Sequence, residues 1–136
     1  MLQMYTDNPA GVAIAAGGDF VFQSKNMQTN GTSTGSAGSA LASLNAPGFY
    51  RVHFDGVVSG TAADVATISL YVDGSQYISG STSLTFDTTG SRVGVGFETF
   101  VYVGAGCPYA NFDKVVKVVT DTALTMYHAN LTVTRV

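Results

Sequence analysis

The sequence contains no tryptophan, one cysteine, three lysines and one glutamate among its 136 residues, and only 11% of them are charged. Each shortage excludes something. The single Cys107 can form neither an intrachain disulfide nor a multi-cysteine metal centre, so the fold has to stand on its core. Six basic residues against nine acidic ones give a net charge of −3, with no basic cluster to neutralise a row of phosphates. That balance argues against nucleic-acid binding. The longest apolar runs, such as Val12-Ala13-Ile14-Ala15-Ala16, fall far short of the roughly 20 residues that span a bilayer, so no membrane span is expected. No charged segment precedes an apolar one at Met1, and no secretory signal is visible.

What the chain has in excess is 17 Val and 16 Thr, 33 residues of 136. β-Branched side chains lose rotamer freedom in a helix and fit a pleated sheet, whereas the scarce Lys and Glu would have coated helix faces. The balance points to an all-β protein. Its length suits one domain and not two. So few charges leave an ordinary monomer's surface poorly supplied with solubilising groups, and apolar surface covered by partner subunits is the expectation.

Residues 1–10 read as an irregular N-terminal arm closed by Pro9, followed by a single domain over 11–136. Segments 12–16 and 20–23 read as short strands separated by the turn cluster Gly17-Gly18-Asp19. From about 29 to 43 the chain is nearly all Thr, Gly, Ser, Ala and Asn, which predicts a flexible surface loop. Alternation then sets in. Tyr50, Val52 and Phe54 share one face of a strand, and Arg51, His53 and Asp55 the other. A second strand at 66–72 alternates in the same way and leads through Asp73-Gly74, a pair suited to positive φ angles, into Gln76-Tyr77-Ile78. A further strand is expected around 83–86.

The stretch 92–103 carries Val93, Val95, Phe97, Val101 and Val103 on one face. Its other face changes from Gly94, Gly96 and Glu98 to Phe100 and Tyr102, so one end is apolar on both sides and needs covering. A Val-rich strand at 114–119 and a last strand with Tyr127, Ala129, Leu131 and Val133 inside complete the set. About eight to ten strands without a helix describe a two-sheet antiparallel jelly-roll sandwich.

The segment Leu44-Asn45-Ala46-Pro47-Gly48-Phe49-Tyr50-Arg51-Val52 resembles the Pro-x-x-Gly-x-Tyr-x-Phe/Val signature of C1q/TNF-like jelly rolls, with Pro47 here directly before Gly48. The end, Ala129 to Val136, is similar to the closing strand of bacterial and phage members such as the exosporium-glycoprotein tip domain. The hairpin Ile68 to Ile78 falls where such domains place a strand, an Asp/Asn-Gly turn and a strand. The resemblance covers about residues 10–136. It implies a homotrimer packed around a threefold axis, acting as a binding head or surface knob rather than as an enzyme. Its interface would draw on Tyr50, Phe100, Tyr102 and Tyr127. No Gly-x-y repeat precedes the head, so a collagen-like stalk is not part of this chain. The size and layout resemble phage head-decoration or fibre-tip proteins, which implies a virion or particle surface, with the arm docking onto other particle proteins.

Enzymatic chemistry finds little purchase in the sequence. There is no Gly-x-Ser-x-Gly elbow, and Ser36 and Ser39 fall in the expected loop. His53 shares a face with Arg51 and Asp55, which fits either a solvated polar face or a base beside an acid. His128 fits an outer face, an interface near the axis or a metal ligand. Asp55, Asp64, Asp73 and Asp87 are scattered over turns with no Asp-x-Asp-x-Asp-Gly loop, so no cofactor is expected, calcium held from separate loops being the alternative. Cys107, with no basic residue within five positions, reads as an inert thiol. Asn130-Leu131-Thr132 matches a glycosylation triplet but lies within an expected strand. Tyr71, Phe100 and Tyr102 exceed what the core needs. They suit subunit contact or, with His53, a carbohydrate- or receptor-binding surface.

Overall fold

A computed structural model describes residues 1–29, 31–104 and 114–136, and Cys107 lies outside that range. Ten strands run β1 (Leu2–Ile14), β2 (Ser24–Gln28), β3 (Ser33–Gly35), β4 (Ala42–Leu44), β5 (Gly48–Ser59), β6 (Val65–Val72), β7 (Ser75–Thr85), β8 (Val93–Val103), β9 (Lys114–Thr120) and β10 (Leu124–Arg135). They form two five-stranded sheets, β2-β1-β10-β5-β8 and β3-β4-β9-β6-β7. Every named pair is antiparallel.

The pairs β1·β10, β4·β9, β5·β8 and β6·β7 make one long two-stranded ribbon, folded back on itself at the β6–β7 turn. Wrapping that ribbon brings β10 against β5 and β6 against β9, which is the winding of a jelly roll. At the fold-back, Asp73 and Gly74 take φ of 51° and 83°, as a two-residue hairpin requires. The Asp73 carboxylate accepts the Val115 N–H at 2.9 Å, fixing the turn to β9.

The core lies between the sheets. Alternation delivers it as expected over β5, where Tyr50, Val52 and Phe54 are fully buried, and over β6, where Ile68 and Leu70 are. Phe54 sits at its centre, 5.1 Å from the Phe20 ring in an edge-to-face contact and 5.4 Å from Phe97. Such contacts add to the burial each ring already contributes.

Several expectations are corrected. Residues 1–10 are not an arm: from Leu2 onward they belong to β1, whose Leu2 and Met4 are fully buried in the core. Their alternation runs to Thr6, and Pro9 sits in a register shift between Asp7 and Val12, where no ladder hydrogen bond is asked of it. The segment 29–43 is not one flexible loop, because it contains β3 and leads into β4, with Ser33 and Ala42 fully buried. Its small residues serve close packing. A Cβ on Gly35 would come within 2.5 Å of the Met4 sulfur. Residues 20–23 form no strand: they carry one isolated bridge, Phe22 with Ser39, beside that of Asp19 with Val119, although Phe20 and Phe22 are fully buried. The two strands expected at 76–78 and 83–86 are one strand, β7, whose register slips opposite Ser69 and Leu70 so that residues 78–80 are unpaired on β6, with Ile78 and Ser79 exposed and Gly80 buried.

The last strand holds a parity change. Met126 faces the core, and so do Ala129, Leu131 and Val133, because a bulge between Met126 and His128 absorbs one residue. Tyr127, expected inside, stands at that bulge and is half-buried.

Candidate functional site

The outer face of the β2-β1-β10-β5-β8 sheet carries most of the chemistry that the core does not use. Along β5 and β8, the outward residues lie in cross-strand pairs: Phe49 with Tyr102, Arg51 with Phe100, His53 with Glu98, and Asp55 with Gly96. Side chains so paired stand close enough to interact, and they sort into two bands.

The first band is apolar and lies at the end where β5 starts and β8 stops. Phe49, Phe100 and Tyr102 remain 55%, 52% and 56% exposed, and the Phe49 and Tyr102 rings meet with centroids 4.8 Å apart. Val136 joins them, its N–H donating to the Phe49 carbonyl at 2.8 Å. The turn that aims Phe49 is held from behind, where the Arg135 guanidinium donates to the Pro47 carbonyl, Nε at 3.0 Å. Exposed Phe at this density is unfavourable on a free surface.

The second band is charged. Glu98 takes His53 Nδ1 at 3.5 Å and Arg51 Nε at 3.9 Å, all with side chains close to half exposed. Beyond it, Asp55 Oδ1 is shielded and has no hydrogen-bond partner among the described residues, and the same holds for Thr134 Oγ1 on β10. His128 faces Asp7 at 3.9 Å on this sheet as well. Exposed pairs of this geometry contribute under about 1 kcal/mol each to stability. Among the described residues, no three His, Cys, Asp or Glu side chains converge in a way that could hold a metal ion. Among the described residues, no helix is long and apolar enough to cross a membrane.

The four residues assigned to subunit contact therefore separate. Phe100 and Tyr102 lie together and exposed. Tyr50 faces the other way and is fully buried, which removes it from any contact surface. Its hydroxyl donates to the Ala46 carbonyl at 2.6 Å and lies 3.1 Å from the Thr32 carbonyl, while accepting the Ala46 N–H at 3.2 Å. Tyr127 lies at the opposite end, its hydroxyl 2.9 Å from Ser59 Oγ and the Arg92 guanidinium 4.0 Å above its ring. The ligand-surface pair also divides: His53 is on the outer face of β5, while Tyr71 lies on β6 beside Lys117, in the other sheet.

Phe49 is the residue that sequence reasoning missed. Its signal was available, since it shares parity with Arg51 and His53 and so had to face outward. The open edges beside the band are tied across the sandwich: Tyr77 Oη donates to the Phe100 carbonyl at 2.6 Å, and Ser79 and Thr99 hydroxyls meet at 2.9 Å. Ile78, on the β7 bulge, is left 82% exposed next to that seam. Compared with known proteins, the chain matches no family model and no curated protein.

Proposed function

We propose that the protein is a non-enzymatic, trimeric jelly-roll knob on the surface of a virion or similar particle, assembled through the outer face of the β2-β1-β10-β5-β8 sheet. The observation that carries this reading is the exposed aromatic band of Phe49, Phe100 and Tyr102 at one end of that face. Three copies meeting there around an axis remove all nine rings from water, and a closed ring leaves no apolar patch for further addition. The Pro47-Gly48-Phe49-Tyr50 resemblance to C1q/TNF-like domains supports a threefold rather than a twofold arrangement, and the jelly-roll winding is consistent with it. The particle setting rests on the resemblance to phage decoration and fibre-tip proteins. Residues 1–10 are held within the sheet, so docking falls to the exposed surface rather than to a free arm.

Magnitudes bound the contact. Three rings about half exposed contribute roughly 3–4 kcal/mol per subunit when covered, while association costs about 4–15 kcal/mol. The band alone is too small, so the contact extends over the charged band, where Arg51, His53 and Glu98 give it register and specificity.

Light scattering on the purified chain tests the reading. The expected mass is three times 14.1 kDa, and the double variant Phe100→Ser/Tyr102→Ser is expected to run as a folded monomer with an unchanged circular dichroism spectrum. A parent chain that is monomeric at micromolar concentration overturns the proposal, and so does a double variant that remains trimeric.

A further inference from the structure

At the end of the sandwich opposite the aromatic band, where β5 stops and β10 begins, an open groove of about 640 Å³ runs between Ala13 to Ala15, Ser59 to Thr61, Thr89-Gly90, Ala123 to Thr125 and Tyr127. The run of β5 from Phe49 to Ser59 places it about 33 Å from that band. None of its lining residues is charged. The hydroxyl pair Ser59–Tyr127 and Thr61, Thr89 and Thr125 supply its polar lining, and Ala13, Ala15 and Ala123 its small apolar lining.

The arrangement is built rather than incidental. Arg92 holds the Tyr127 ring from above while its Nη2 donates to the Pro9 carbonyl at 2.9 Å, so its charge is turned to the ring and the β1 bulge. Gly11, at φ +84°, lies so close that a Cβ there would come within 2.9 Å of the Tyr127 ring. Across the groove, Thr89 Oγ1 accepts the Ala62 N–H at 2.9 Å, which leaves its proton to donate outward. In the Ser59–Tyr127 pair either oxygen donates to the other, so one hydroxyl proton again remains for a ligand. Gly60, on the lining, packs its Cα against the buried Phe86 ring, where a Cβ would collide, so the backbone there is fixed from the core side.

We infer that this groove binds a neutral saccharide of about disaccharide size. Its volume lies within the roughly 300–1,000 Å³ of small-molecule sites. Hydroxyls that both donate and accept match a polyol, small apolar walls match the C–H faces of a pyranose, and the uncharged lining gives nothing to an acidic sugar. The site is separate from the proposed subunit contact and does not depend on it.

Amide NMR titration of the whole chain with lactose, maltose and cellobiose, with sialyllactose as the charged comparator, tests the inference. At least one neutral disaccharide is expected to shift the amides of Gly60, Thr61, Thr89, Gly90 and Thr125, with sialyllactose binding no more tightly. Tyr127→Phe, which keeps the ring under Arg92, is expected to weaken binding about three- to tenfold through one lost hydrogen bond. Ala123→Glu, at an exposed position, is expected to abolish it without altering the fold. The inference is overturned if no neutral sugar moves these amides, if the acidic sugar binds more tightly, or if Ala123→Glu binds as the parent does.

Discussion

Replacing Tyr50 by phenylalanine separates a core role from a contact role with a single atom. The ring stays fully buried, so the apolar contribution is unchanged and the whole effect lies in the hydroxyl. In the parent, that oxygen accepts the Ala46 N–H and donates to the Ala46 carbonyl, with the Thr32 carbonyl at 3.1 Å. It thus pins the approach to β5 against the chain entering β3. Removing it leaves a partly buried N–H and carbonyl without this partner, a cost of about 1–3 kcal/mol. At about 2.1 cal/mol/K per residue, 136 residues give an unfolding entropy of about 0.29 kcal/mol/K, so the midpoint should fall by about 3–10 °C. Calorimetry measures the midpoint, and amide hydrogen exchange should show protection lost first around Thr32 and Asn45, whose N–H donates to the Thr32 carbonyl at 2.8 Å. Oligomeric mass should not change. A midpoint within about 1 °C of the parent, or a loss of assembly without loss of stability, would refute the assignment of Tyr50 to the core lock.

Two glycines make a matched pair. Gly74→Ala meets nothing within 4 Å and bears only the strain of φ +83°, about 1 kcal/mol, while Gly60→Ala drives a methyl into the buried Phe86 ring and should cost more, about 1–3 kcal/mol from overpacking with no room to relax. Equal losses in thermal midpoint would contradict this. Phe54→Ala removes the ring that joins Phe20 and Phe97 and should cost about 3–5 kcal/mol in urea unfolding; a cost under about 1 kcal/mol would mean that the centre of the core lies elsewhere.

Where local rules dominate, the sequence was readable. Tyr50, Val52 and Phe54 point inward because parity in an unbroken strand leaves no choice, and Asp73-Gly74 turns because its backbone preferences are its own. Phe100 and Tyr102 were legible as outward for the same reason. Partners across the sheet are not written locally. Pro9 looked like a stop because its tolerance depends on a bulge that only the pairing of β1 with β10 creates. Unbroken parity puts Tyr127 inward, and the bulge beside it, which shifts that parity by one, is set by pairing with β5. Ser33, Gly35 and Ala42 read as flexible filler because composition does not distinguish small residues left in water from small residues buried in the sandwich, as Ser33 and Ala42 are, or set where Met4 comes close, as Gly35 is. The groove was invisible for a similar reason, its hydroxyls coming from three separate stretches of chain.

The placement of β10 between β1 and β5 sets an order of events during synthesis. The strands β4, β6, β7 and β9 all lie before residue 121, so the core of one sheet has its members before β10 is made. The other sheet does not: Leu2 waits for Val133, and Phe54 waits for Leu131. Until then β1 and β5 present open edges, and the strand that joins them must enter between two partners at once. Such non-local closure is slow, on the order of milliseconds to seconds. During that interval the vacant slot between β1 and β5 has the width of one strand, and β10 is the strand whose registers with both edges close it.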